Sequence, residues 1–135
     1  MMVTSPVIGP LSVDACRAFL ARGGMGQVAV TYNALPVIQP VPFVFHDEYV
    51  VIRAPNRSSL CRAVKDSVIA FNVHHFEGGG GQGWSVLVQG VGEEVTDSDL
   101  LRSLLALPLP SWSDEPETDC IMRLPITKIT GAQVR

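Results

Sequence analysis

The stretch QVAVTYNALPVIQPVPFVFHDEYVVIRA, residues 27–54, decides the fold. Gln27 to Tyr32 alternates polar and apolar residues and is rich in β-branched types, the pattern of a strand with one wet face. Asn33 and Ala34 fall where a hairpin turn belongs, and Pro36 to Phe45 reads as the returning strand. His46, Asp47 and Glu48 make the next turn, and Tyr49 to Ala54 a third strand. Strands joined by such short turns are antiparallel, because a parallel pair needs a crossover of about a dozen residues or more. Pro36, Pro40 and Pro42 share parity, so their missing amide hydrogens all point to one side of the strand. That side is either a sheet edge or is occupied by something other than a paired strand.

Working toward the N-terminus, Ser12 caps a short helix, with Asp14 in its first turn. Leu11 and Cys16 are spaced as a hydrophobic staple, and Cys16, Phe19 and Leu20 share one helix face. Gly23 and Gly24 end it. Toward the C-terminus, PNRSSLCRAVKDS reads as a loop and a second short helix capped by Ser58 or Ser59. Val68 to Phe76 is a strand, the glycine-rich run 78–83 a hairpin connection, and Trp84 to Val95 a long strand. Thr96 is the expected cap of a third helix carrying Leu100, Leu101, Leu104 and Leu105, which Pro108 and Pro110 stop. A surface loop over Ser111 to Thr118 leads to a last strand, Cys120 to Ile126. Six or so strands with three short helices predict a mainly β, antiparallel barrel with peripheral helices, one domain over residues 1–135.

Composition narrows the function classes. Hydrophobic residues are 47% and charged residues 17% of the chain, too apolar for disorder. A net charge of −3 argues against bulk phosphate attraction, so no nucleic-acid partner is expected. The most apolar stretch, Leu35 to Phe45, is broken by three prolines and is about half a bilayer span, so no membrane partner is expected. The first ten residues hold no Lys or Arg and no long apolar run, unlike a secretory leader. Cys16, Cys61 and Cys120 fit neither a disulfide framework nor a metal knuckle and predict a reduced, cytoplasmic setting.

Among candidate sites, Arg53 to Ser59 is the best anion site. It combines a helix start, two hydroxyls (Ser58 and Ser59) and two guanidiniums (Arg53 and Arg57). An ordinary capped helix with solvated arginines is the plainer alternative. His74 and His75 are neighbours in a strand and face opposite ways, so no metal site is expected; one of them could serve a pocket. Trp84 beside Ser85 could line a pocket for a flat ligand, or Trp84 could plug the barrel. Chemistry this poor in acids, bases and metal ligands points to a cofactor-borne reaction.

The order of LSVDACRAFLARGGMGQVAVTYNALPVIQPVPFVF, YVVIRAPNRSSLCRAVKDSVIAFNV, GWSVLVQGVGEEV and MRLPITKITG resembles the pyridoxamine 5′-phosphate oxidase-like proteins, nearest their small branch that includes nitroimidazole-resistance proteins. The resemblance implies an FMN-binding split barrel and a homodimer with cofactor sites at the interface. It also implies transfer of electrons between a reduced nicotinamide and a small-molecule substrate. By position it assigns the flavin phosphate to Arg53, Arg57, Ser58 and Ser59. Gln39, Pro40, Val41 and Pro42 would run beside the ring, and Trp84 and Ser85 would complete the site. Three positions depart from the family pattern: Arg57 and Ser59 stand where Gly and Lys are common, and Ala132 follows Gly131 where Arg is common. A deazaflavin, a haem or no cofactor at all, in a non-catalytic or degenerate barrel, are the alternatives.

Overall fold

Two tight turns organise the sheet. Asn33 and Ala34 have φ of 51° and 62°, and Asp47 and Glu48 have 51° and 67°, each pair left-handed as in a type I′ hairpin turn. The first joins β2 (Gly24–Tyr32) to β3 (Leu35–His46), and the second joins β3 to β4 (Tyr49–Ala54). Both turns stand where the alternation predicts them. The computed structural model describes residues 8–56, 58–64, 67–79 and 81–135. Among them, nine antiparallel strands form one sheet, with the order β1-β9-β6-β5-β2-β3-β4-β8-β7. The remaining strands are β1 (Ile8–Pro10), β5 (Val68–Phe76), β6 (Gly83–Val91), β7 (Glu93–Glu94), β8 (Cys120–Pro125) and β9 (Lys128–Val134). The sheet curls until β6 and β8 touch, giving a mostly β split barrel with three short helices.

The helices obey their end signals with one correction. In α1 (Val13–Leu20) the Ser12 side chain accepts from the Ala15 amide, as expected. In α2 (Ser59–Val64) the Cys61 amide donates to Ser58 Oγ at 3.2 Å, so Ser58 is the cap. The third helix, α3 (Ser98–Leu105), is capped by Asp97 rather than Thr96. Asp97 Oδ2 accepts from Leu100 N at 2.9 Å, and a carboxylate is the stronger acceptor for an orphan amide.

Two further expectations are corrected. The strand expected over Trp84 to Val95 stops at Val91, and Gly92 separates it from β7. A Cβ at Gly92 would lie 2.6 Å from Val64 and 2.9 Å from Ile69, so α2 can pack there only because the side chain is missing. Strand β9, unrecognised in KITGAQV, pairs with β6 along its length and carries β1 on its far side.

Side-chain alternation separates two cores. Val28, Val41, Phe43, Val50, Ile52, Phe71, Val86, Val88, Met122 and Leu124 fill the barrel, closed off by Cys16 and Leu20 of α1 and Leu60 and Val64 of α2. Phe43 and Phe71 meet edge to face, with centroids 4.7 Å apart. Fully burying each such side chain stabilises by roughly 1.5–3 kcal/mol. Val51 and Ile121 point the other way and pack with Val95, Leu104 and Leu109. Strand β4 is therefore buried on both faces, which is why YVVIRA reads as a run and not an alternation. Cys61 and Cys120, 59 residues apart, form a disulfide between α2 and β8. This corrects the expectation of unpaired thiols: the spacing in sequence is wide, but the curl of the sheet brings the two elements together. Cys16 remains free and buried. Among the described residues, no helix is long and apolar enough to cross a membrane.

Candidate functional site

Strand register aligns a row of residues on the outer face of the sheet. Pro40 lies opposite Gln27, Gln27 opposite Asn72, Asn72 opposite Leu87, and Leu87 opposite Thr130. The neighbouring row is Ile38, Ala29, Ala70, Gln89 and Lys128. Residues 35–42 of β3 pair only with β2, since β4 takes up pairing from Phe43. Proline has no amide to donate, so Pro36, Pro40 and Pro42 direct their nitrogens to that open edge, as their shared parity predicts.

A hydrogen-bonded cluster sits on this face. Asn72 Nδ2 donates to Val86 O at 3.0 Å and to Ser85 Oγ at 2.8 Å. A carbonyl can only accept, so the amide orientation is set and Oδ1 faces His74, whose Nδ1 is 2.9 Å away. Oδ1 can only accept as well. Nδ1 therefore carries the proton, and in the neutral ring Nε2 is left as an exposed acceptor. Two shallow cavities of about 200 Å³ flank the cluster. Met25, Gln27, Pro40, Asn72 and His74 line one, and Ser85, Leu87, Thr130 and Ala132 the other.

The structure brings only some of the predicted site residues together. Pro40 and Ser85 lie on this face, joined through Gln27 and Asn72. Pro42 is buried opposite Met25, Gln39 has the inward parity and is half-buried, and Val41 is a core residue. Trp84 points to the other side of β6, where its ring stacks on Phe19 with centroids 4.0 Å apart. Ser58 and Ser59 begin α2 beyond β4, and Arg57 lies outside the described residues.

Arg53 is engaged by its own chain. Its Nε donates to Asp119 Oδ2 at 2.7 Å, and its other nitrogens donate to Pro116 O at 3.0 Å and Leu109 O at 3.4 Å. The guanidinium thereby anchors the segment between α3 and β8. The groove beside it, about 580 Å³, is lined by Pro55, Asn56, Trp112, Asp114 and Glu115 among others. Its carboxylates oppose an anion. Sequence reasoning missed Gln27 and Asn72, whose signal was there: both occupy polar positions in strands whose alternate residues are Val and Phe.

These features define a class, the split β-barrel with a polar-centred outer face and a proline-bearing open edge. The chain belongs to the pyridoxamine 5′-phosphate oxidase family, whose model matches residues 12–133. It is 32% identical over 129 residues to the uncharacterised protein Rv0080 of Mycobacterium tuberculosis, covering 92% of this chain and 84% of that one. Its fold is similar to that of a FAD binding protein from Mycobacterium smegmatis, with TM-score 0.79 and 27% identity over 94% of this chain and 100% of the other. It is also similar in fold to a FAD-binding protein from Mesorhizobium loti, with TM-score 0.74 and 19% identity over 97% of this chain and 99% of the other.

Proposed function

We propose that this protein is a flavin-dependent oxidoreductase acting as a homodimer, taking electrons from a reduced nicotinamide and passing them to a small acceptor. The observation that carries the reading is the Asn72–His74–Ser85 cluster on the outer face of the sheet in a chain of this family. The M. smegmatis relative, by its name a FAD binding protein, adds support.

The residues present fit the ring half of a flavin. Its polar edge needs both donors and acceptors, which Gln27, Ser85 Oγ and His74 Nε2 offer on one surface, while Pro40, Met25 and Leu87 offer apolar contact. The phosphate half falls to the turn before α2, where the Ser58 hydroxyl hydrogen and the Ser59 hydroxyl can donate and Arg57 follows Asn56 in sequence. Arg53, held by Asp119, contributes by bracing the 109–119 segment. A bound flavin supplies the two-electron chemistry. The chain's own residues orient the ring, and His74 presents a lone pair at its edge. One sheet face shields only one side of a ring. Met25 and Ile38, 49% and 68% exposed on that face, favour a second copy as the cover.

The test is purification from rich medium, then reconstitution with excess FMN or FAD. The expected outcome is a visible flavin spectrum, a mass that identifies which of the two is retained, and a dimer by light scattering. Asn72→Ala is expected to weaken the flavin by about tenfold or more, through loss of two side-chain bonds that hold the cluster. Failure of either flavin to bind, or a strict monomer, overturns the reading. Binding without nicotinamide-driven turnover of any acceptor makes the protein a carrier instead.

A further inference from the structure

A second groove lies across the strand ends from the outer face. It holds about 410 Å³ and is lined by Phe19, Arg22, His75, Glu77, Gln82, Gly83, Trp84 and Gln133. Its floor is a cross-strand row in which His75 pairs with Trp84 and Trp84 with Gln133. The groove is separate from the proposed flavin site, because successive strand residues face opposite sides. His74, Ser85 and Ala132 serve the outer face, and His75, Trp84 and Gln133 serve this one.

Two features set the chemistry of the groove. Phe19 and Trp84 are stacked with an interplanar angle of 16°, and neither ring is fully buried. The Arg22 guanidinium carbon lies 4.8 Å from the Phe19 centroid and 5.9 Å from that of Trp84. Arg22 is exposed and makes no ion pair among the described residues, in contrast to Arg17, Arg53 and Arg123. The aromatic stack steers its cation without neutralising it, which leaves the planar N–H fork available to a carboxylate. The carbonyls ending α1 do not compete for the groove's ligand. Arg17 O and Phe19 O accept from the Ala21 and Arg22 amides, and Leu20 O from Gly23 N. His75, Gln82 and Gln133 add hydrogen-bonding side chains that have no partners among the described residues. Glu77 is the one carboxylate in the lining and acts against an anion.

We infer that this groove binds a planar aromatic carboxylate, with its acid group on Arg22 and its ring against the Phe19–Trp84 stack. The probe is benzoate, added to the full-length Trp112→Phe protein. Trp84 is then the sole tryptophan of the two in the chain. The titration is run with and without added flavin. Flavin is followed by its visible absorbance, so failure of the flavin reading leaves this measurement intact. Expected are saturable quenching of Trp84 and weakening by about tenfold or more in Arg22→Ala, the loss of one charge-assisted bond. Glu77→Gln, which removes the like charge, should tighten binding, and acetate and benzyl alcohol should bind far less well than benzoate. Arg22 and Glu77 are both exposed, and the circular dichroism of each variant should match the parent. Absence of saturation at the solubility limit, equal binding of acetate, or an Arg22→Ala titration identical to the parent overturns the inference.

Discussion

Removing Asp119 tests whether Arg53 is an anchor or an anion ligand. The Arg53 side chain is 13% exposed and that of Asp119 1%, so their bond at 2.7 Å is shielded from water. In Asp119→Ala the guanidinium keeps only the carbonyls of Pro116 and Leu109, at 3.0 and 3.4 Å, and Ser111 Oγ loses its acceptor. Breaking a buried pair by deleting one partner costs about 3–5 kcal/mol. The residual exposure of Arg53 argues for the lower end, about 3 kcal/mol. Arg53→Ala should cost more, because it strands a carboxylate whose Oδ1 already has no partner. With a urea m-value of about 2 kcal/mol/M, Asp119→Ala should move the unfolding midpoint down by about 1.5 M without changing the slope. The double variant should cost no more than the worse single one, since the pair is lost only once. An Asp119→Ala cost below about 1 kcal/mol, or strict additivity, refutes the anchoring role. If Arg53→Ala then weakened flavin while leaving stability unchanged, the guanidinium would be a phosphate ligand.

Three further outcomes follow from the packing. Gly131→Ala puts a Cβ 2.6 Å from Cys16 Sγ and 3.0 Å from Leu11 Cδ1, and should destabilise by about 1–3 kcal/mol in urea melts. Adding Cys16→Ala should recover part of that loss, and no recovery would show that the sulfur is not the obstacle. The disulfide closes a loop of 59 residues, for which chain entropy gives about 4 kcal/mol, so Cys61→Ala/Cys120→Ala should lower the thermal midpoint; an unchanged midpoint refutes the estimate. Burial pushes the Cys16 thiol above its ordinary value of 9.0. The folded state therefore keeps a proton that the unfolded chain releases, and stability falls as pH rises from about 9 toward the folded value. Cys16→Ala should flatten that alkaline limb in melts from pH 8 to 10, and an unchanged limb rules the thiol out as its cause.

Much of the architecture is legible in local chemistry. Asn33-Ala34 and Asp47-Glu48 turn where alternation breaks on either side of them. Ser12 and Ser58 cap helices because a hydroxyl three residues ahead of an amide suffices, whatever the rest of the chain does. Strand β9 escaped notice because Gly131 and Ala132 dilute its pattern, and it is held as a strand by β6 and β1 on its two edges. The site was half legible. Pro40 and Ser85 could be picked out one by one, yet only the register of four strands places Asn72 between them.

By itself, the sequence determined the periods and the turns, because these depend on neighbours a few residues away. It also marked the shared parity of the three prolines, which is a property of one strand. Tertiary structure alone decided that Arg53 is taken by Asp119 and that Cys61 meets Cys120, pairs 66 and 59 residues apart. It alone decided, too, that the Trp84 ring meets Phe19 of α1. Charge and sulfur chemistry act over a few ångströms of space, and which groups come that close is settled by how far the sheet curls.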